Sequence, residues 1–174
     1  TNSILINHGL PIPPMARIAN TNNLKDIVNI LGGFPIIMKA NKSNQGKGVV
    51  KVSSMEELRS LIDFVKNSTT PEDVFLQSFI QEATEKCIRV VVVDNKIVTA
   101  YGRSATNNDF RASLAKGSFL GFVKLSKKES DIFQQISKIL NLDIIGLDFA
   151  RTPRGPQIIE VNAYPGLGKL YDYT

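Results

Sequence analysis

The stretch IIGLDFARTPRGPQIIEVN, residues 144–162, reads as two strands joined by a tight turn. Side chains alternate between the faces of a strand, so Ile145, Leu147 and Phe149 share one face, and Gly146 and Asp148 share the other. Thr152-Pro153-Arg154-Gly155-Pro156 has the chemistry of a turn. In the returning strand Ile158, Glu160 and Asn162 are expected on one face, alternating with Ile159 and Val161. A turn centred near Arg154 then sets Asp148 opposite Glu160 and Gly146 opposite Asn162. Directly opposed residues have Cβ atoms about 4.5–5.5 Å apart. Two carboxylates so placed among isoleucines repel, and three arrangements answer that. They can share a proton. They can hold a hard divalent cation, to which Asn162 adds a neutral oxygen. Or they can lie on an exposed face with both charges solvated. Gly146 leaves room on that face.

Working outward, Ser126-Lys127-Lys128-Glu129 is a capping box that opens a helix with Ile132, Phe133, Ile136, Ile139 and Leu140 inward. Residues 119–125 read as a strand. Residues 88–93 and 96–101 read as a hairpin, because Asp94 and Asn95 both tolerate positive φ. Ser53 and Ser54 followed by Glu56 and Glu57 cap a second helix carrying Met55, Leu58, Leu61, Ile62 and Val65. Leu24, Ile27, Val28 and Leu31 mark one face of another helix. Strands are expected at 15–19, 34–40, 49–52 and 74–79, and the tail of a helix at 3–9, stopped by Gly9 and the prolines that follow. The order is β-α-β-β-α-β, then a hairpin, a strand, a helix and a last hairpin. That predicts an α+β fold of two lobes rather than one doubly wound parallel sheet. The polar stretch 81–86 predicts a hinge near residues 78–87.

The chain has 174 residues, 43% of them apolar and 21% charged, which excludes disorder, collagen and coiled coil. No apolar run approaches the roughly 18 residues of a membrane helix; Val90-Val91-Val92-Val93 is strand length. Thr1-Asn2-Ser3 has no basic start or small-residue cleavage site, and the absent initiator Met predicts a processed product or a piece of something longer. The formal charge is +5 and the pI near 9.4. Trp is absent, and no basic cluster is longer than Lys127-Lys128. Nucleic acid and membrane partners are therefore disfavoured against a small polyanion in a site. The single Cys, Cys87, excludes an internal disulfide and points to a reducing cytoplasm. It precedes an apolar strand and is expected to be a buried structural thiol. His8 is expected at a helix end on the surface, and one His with one Cys nearly excludes a zinc site.

Two further segments carry chemistry. Between Lys39 and Val49 a strand ends in a lysine, and a polar loop with Gly46 and Gly48 leads to the next strand. Glycines let backbone N–H groups approach phosphate oxygens. The loop is not a Walker loop, because Gly48 rather than Ser or Thr follows Lys47, nor a dinucleotide fingerprint. In Asn107-Asn108-Asp109-Phe110-Arg111-Ala112-Ser113, an arginine in a polar loop suits a phosphate or carboxylate.

Together these segments resemble the ATP-grasp superfamily and, within it, the RimK-like glutamate ligases. The markers are Gly32-Gly33-Phe34-Pro35 leading to Lys39, Gln45-Gly46-Lys47-Gly48-Val49, and Leu76-Gln77-Ser78-Phe79-Ile80. Ile88-Arg89-Val90, Asp109-Phe110-Arg111, Gly146-Leu147-Asp148, Glu160-Val161-Asn162-Ala163 and Pro165-Gly166 complete them. The resemblance implies an ATP-grasp fold with the nucleotide cleft between two α+β lobes. Residues 1–14 would be the remnant of a preceding helix and linker, 15–80 the small lid subdomain, and 81–174 the large subdomain with the metal site. It implies an ATP- and magnesium-dependent carboxylate–amine ligase working through an acyl phosphate, with Mn2+ as a substitute metal. Such an enzyme adds an amino acid such as glutamate to a protein C-terminus or a small acid.

By matching position, Lys39 would contact ATP phosphates, and Gln45, Gly46 and Gly48 would close over them. Main-chain groups of Ser78, Phe79 and Ile80 would meet the adenine. Arg111 would be catalytic, stabilising charge on the phosphoryl group. Asp148, Glu160 and Asn162 would hold magnesium. Arg89, Arg103 and Ser113 would be further anion or substrate contacts. The family usually has Glu at Ser78, Asp at Cys87 and Asn at Ser113, and a preceding N-terminal domain of roughly 100 residues, a typical domain size. The implied partners are ATP, a carboxylate acceptor and an amino acid, in the cytoplasm, with neither nucleic acid nor membrane and with a homo-oligomer allowed. The rival readings are a nucleotide-binding module with weakened or no ligase activity, and a ligase of amino-acid or peptide biosynthesis.

Overall fold

The computed structural model describes residues 2–18, 21–40, 48–67, 73–104 and 118–167. The chain forms two compact units, one of residues 13–80 and one of residues 1–12 with 81–174.

The smaller unit contains β1 (Met15–Ile18), α2 (Leu24–Ile30), β2 (Ile36–Ala40), β3 (Val49–Val52), α3 (Met55–Lys66) and β4 (Val74–Ser78). Its strands form an antiparallel sheet in the order β1-β4-β2-β3. α2 stops where Gly32 and Gly33 take φ of 93° and 86°, which an L side chain resists. α3 starts at Ser54, whose side chain accepts from the Glu57 N–H, while the Glu57 carboxylate reaches back to the Ser53 N–H at 2.7 Å. Leu24, Val28, Leu31, Leu58 and Ile62 from the helix segments bury against Ile36, Met38, Val52 and Leu76. Ile36 and Met38 face that core, so strand alternation turns Ile37 and Lys39 to the other face.

The larger unit contains α1 (Asn2–Asn7), α4 (Glu82–Glu85), β5 (Cys87–Val93), β6 (Lys96–Ser104), β7 (Ser118–Phe122), α5 (Lys127–Leu140), β8 (Ile144–Thr152) and β9 (Gly155–Asn162). Its antiparallel sheet has the order β7-β6-β5-β8-β9. The β5–β6 turn is the expected two-residue one, with φ of 47° at Asp94 and 58° at Asn95. α5 opens on a complete capping box, Ser126 with Glu129. One turn of helix, α4, which the sequence reading did not expect, stands within the polar stretch 81–86. On one face of the sheet Ile88, Val90, Val92, Ile145, Leu147, Phe149 and Ile158 pack with Phe133 and Ile136 of α5, and with Leu5 and Leu10. Phe133 and Phe149 lie 4.7 Å apart between ring centroids.

β8 and β9 pair as expected at the site but by a different route. Thr152 pairs with Gly155 and Phe149 with Ile158, and a bulge then shifts the register so that Asp148 pairs with Glu160 and Gly146 with Asn162. The extra residue corrects the expected alternation: Ile158 is in the core opposite Phe149, not on the face of Glu160 and Asn162. Regular pairing would have set Glu160 against buried Leu147. The bulge instead places Val161 there and turns Glu160 outward.

Candidate functional site

The second face of the larger sheet collects the charge. The pairing register sets Phe122, Tyr101, Arg89, Asp148 and Glu160 in one row across five strands. A neighbouring row holds Phe119, Arg103 and Cys87, and another holds Val91, Gly146 and Asn162. Arg89 donates from Nε to Asp148 Oδ1 and from Nη2 to Oδ2, each at 2.6 Å. Arg103 Nη2 makes a second ion pair with Oδ1. All three side chains are buried, Asp148 to 5% exposure. Such a bidentate guanidinium fork is the strong form of a charged hydrogen bond.

The Asp148–Glu160 repulsion posed by the sequence is therefore offset mainly by arginines from β5 and β6. Asp148 is buried and paired, whereas Glu160 is exposed. The sequence-derived anion contacts, Arg89 and Arg103, meet Asp148 as their anion. Burial would raise the Asp148 pKa, but Arg103 and Arg89 override it and hold the carboxyl below its usual value. The same contest favours the charged form of Arg89: burial works against it, and Asp148 prevails. Cys87 is the buried thiol expected, its pKa pushed up to about 12 by burial first and by Asp148 next. His8 is exposed at the end of α1, with Nδ1 2.8 Å from the Ile4 carbonyl.

Glu129 has the same balance as Asp148. Burial would raise its pKa, but Arg151, at 2.7 and 2.9 Å, and the Ser126 cap lower it. A carboxyl depressed in the folded state stabilises above its unfolded value, 3.8 for Asp148 and 4.5 for Glu129, and loses that contribution as pH falls through the lower folded value. Urea midpoints are expected to fall steadily on acidification below these values. A midpoint unchanged down to about pH 3 would refute this.

Asn162, oriented to satisfy both neighbours, donates to Glu160 Oε1 at 3.0 Å and accepts from Arg89 Nη2 at 3.1 Å. Arg89 thus links Asp148 and Asn162, and Asn162 links to Glu160. A carboxylate oxygen accepts about two hydrogen bonds. Among the described residues Oδ1 of Asp148 receives two and Oδ2 one, so against these partners Oδ2 retains accepting capacity. Among the described residues no three His, Cys, Asp or Glu side chains stand together as metal ligands. A cation here would meet two carboxylates and an amide, hard oxygens that fit magnesium.

Gly146 has a steric reason. A Cβ at this position would lie 2.7 Å from Pro165 Cβ and 3.7 Å from Arg89 Cδ. The chain leaving β9 therefore closes over the glycine. Gly146→Ala is expected to cost about 1–3 kcal/mol by overpacking, read from urea melts. A wild-type midpoint would show that the 163–166 turn yields freely.

In the smaller unit Lys39 lies on the face of β2 away from the core, opposite Phe75 and Val49. Lys51, which the sequence reading passed over, shares that face through its pairing with Ile37, and its Nζ lies 4.4 Å from the centre of the Phe79 ring. Alternation along 49–52 was the available signal. Gly48, with φ of 77°, enters β3. The Ser78 hydroxyl donates to the Leu31 carbonyl at 2.7 Å, and its N–H donates to the Pro14 carbonyl at 2.9 Å. Ile80 is buried and Phe79 partly so. Gln45, Gly46, Arg111 and Ser113 lie outside the described residues.

A model of the RimK-like ATP-grasp domain matches residues 1–174. The chain belongs to that family. It is 34% identical over 165 residues to a probable alpha-L-glutamate ligase of Aeromonas salmonicida (strain A449), covering 94% of this chain and 54% of that protein. It is 32% identical over 164 residues to the ribosomal protein bS6–L-glutamate ligase of Salmonella paratyphi B (strain ATCC BAA-1250 / SPB7), with the same coverage, 94% and 54%. The chain thus spans about half the length of these curated relatives. The ATP-grasp ligase PsnB, solved with a minimal precursor, Mg and ADP, is similar in fold, with a TM-score of 0.75 at 19% identity over 98% of this chain and 51% of that one. In this RimK-like chain the charged face belongs to the antiparallel sheet of the larger unit, and Lys39 and Lys51 to that of the smaller.

Proposed function

We propose that this RimK-like chain is the ATP-binding part of a carboxylate–amine ligase. ATP phosphorylates a carboxylate, the γ-phosphoryl group passing to its oxygen as ADP leaves. An amine then attacks the acyl phosphate and phosphate departs. In this proposal an amino acid such as glutamate is added to a protein C-terminus or a small acid; the relatives' names, which carry glutamate, support the amino acid. The observation that carries this reading is the pairing of Asp148 with Glu160 and Gly146 with Asn162 on one sheet face.

In this reading Asp148, Glu160 and Asn162 hold magnesium, which offsets phosphate charge when bound. Lys39, Gln45, Gly46 and Gly48 serve the phosphates, and Arg111 the transferring group. The Ser78 N–H is committed to Pro14, so the main-chain groups of Phe79 and Ile80 are the better candidates for the adenine. Phosphoryl transfer needs positioning and charge neutralisation rather than a nucleophilic side chain, in keeping with the inert Cys87. The small lid assignment of 15–80, the large subdomain assignment of 81–174 and a cytoplasmic setting belong to the same proposal.

Cys87 also favours a second reading, a module that binds nucleotide without ligating. A buried, protonated thiol does not bind ribose as the family's usual Asp does. Thermal-shift titration with ATP, GTP and ADP, with and without magnesium, tests the shared premise. Ligand at 100 times its Kd stabilises by about 2.7 kcal/mol. No shift with any nucleotide would sink both readings. ADP release that depends on an added amino acid separates them.

A further inference from the structure

The second face of the smaller sheet carries a lysine that the phosphate assignment does not use. Pairing sets Arg17, Phe75, Lys39 and Val49 in one row across β1, β4, β2 and β3, and Met15, Gln77, Ile37 and Lys51 in the next. Gly48 precedes Val49 of the first row, and Phe79 lies two residues beyond Gln77 of the second. Residues two apart on a strand are separated by about 7 Å. From the glycine end the face therefore reads Gly48, Lys39, Lys51 and Phe79, in that order.

Lys51 is half-buried, and its Nζ lies 4.4 Å from the centre of the Phe79 ring. A cation at that distance is attracted to the ring face. The contact holds the charge toward Phe79 and away from the glycine end, where Lys39 stands. An ammonium has three donors and no acceptor. The ring engages one side of it, and among the described residues no carboxylate pairs with it. β4 ends at Ser78, and among the described residues no main-chain group of Phe79 or Ile80 bonds to another. A charged donor thus reaches the segment whose main-chain groups leave the sheet ladder. That combination suits a flat heterocycle with acceptors on its rim, and adenine and guanine both present the ring nitrogen N7 as an acceptor.

We propose that Lys51 reads the base of the nucleotide, donating from Nζ to purine N7. It is a specificity-determining residue: it selects a purine, and the main-chain groups of Phe79 and Ile80 choose between adenine and guanine. This rests on the nucleotide reading and names the side chain that meets the base within it.

The test uses the 174-residue chain with magnesium present. Wild type and Lys51→Met are titrated by calorimetry with ATP and with 7-deaza-ATP, whose ring has carbon in place of N7, and both proteins are melted. Wild type is expected to bind ATP roughly tenfold more tightly than 7-deaza-ATP, as loss of a hydrogen bond from a charged group does. Lys51→Met is expected to bind both nucleotides alike, at the weaker affinity. Methionine keeps an apolar stem against the Phe79 ring, so its melting temperature should stay near that of wild type. Equal affinity of wild type for the two nucleotides overturns the proposal without the variant. So does a Lys51→Met chain that still prefers ATP, which would place N7 on another group, and so does one that no longer folds, which would make the lysine structural. Wild type that binds neither nucleotide sinks the nucleotide reading itself, and this proposal with it.

Discussion

Asp148→Asn is expected to destabilise the chain by about 3–5 kcal/mol, because it leaves Arg89 and Arg103 buried without the one buried carboxylate that both bond. The wild-type pairing is not worth that much in net terms. Desolvating three charges is costly, and the short Arg89 fork, with the Arg103 ion pair, repays the cost only while every partner is present. Replacing all three together, as Arg89→Met, Asp148→Leu and Arg103→Met, is therefore expected to recover most of the loss. Guanidinium melts check both statements. A single variant within 1 kcal/mol of wild type, as roughly a surface change would be, would show that solvent reaches these guanidiniums. A triple variant that restores stability but not ligand binding would identify the cluster as kept for function.

Glu160→Gln is expected to abolish magnesium-dependent nucleotide binding while leaving the fold intact. Glu160 is exposed on β9, and glutamine can still accept from Asn162, so the stability change should lie within about 0.5 kcal/mol. The metal-dependent part of the affinity should fall by more than the roughly 10–100-fold that loss of a group merely supporting a ligand costs. Calorimetry with ADP, with and without magnesium, measures it. Magnesium-dependent affinity equal to that of wild type would refute the metal assignment. This variant tests the assignment better than Asp148→Asn, in which lost binding and lost folding are confounded.

Much of this was legible because burial imposes period on sequence. Leu24, Val28 and Leu31 repeat at helical spacing and are buried together. Ile145, Leu147 and Phe149 repeat at strand spacing and fill the larger core. Asp94-Asn95 and Ser126 with Glu129 are local chemistry, and each forms the turn or cap its residues favour. Arg89 and Arg103 were legible as charged residues but not as partners of Asp148. Their sequence separations from it, 59 and 45 residues, carry no local signal, and only the strand order β6-β5-β8 brings them together. Lys51 and Tyr101 escaped for the same reason: a side chain's face is read from alternation, but its neighbours are set by which strands pair.

The sequence by itself determined every element but the short α4, the two-unit α+β composition and the motifs that mark an ATP-grasp chain, since these rest on local periodicity and turn chemistry. Tertiary structure decided the electrostatics of the charged face. The β9 bulge is the sharpest case: the turn at 153–154 alone would have put Glu160 opposite Leu147 in the core. Burial of Val161 and expulsion of a carboxylate force one extra residue into the strand, and that residue brings Glu160 alongside Asp148. No local pattern records it, because the energy that selects it comes from packing against a strand and a helix elsewhere in the chain.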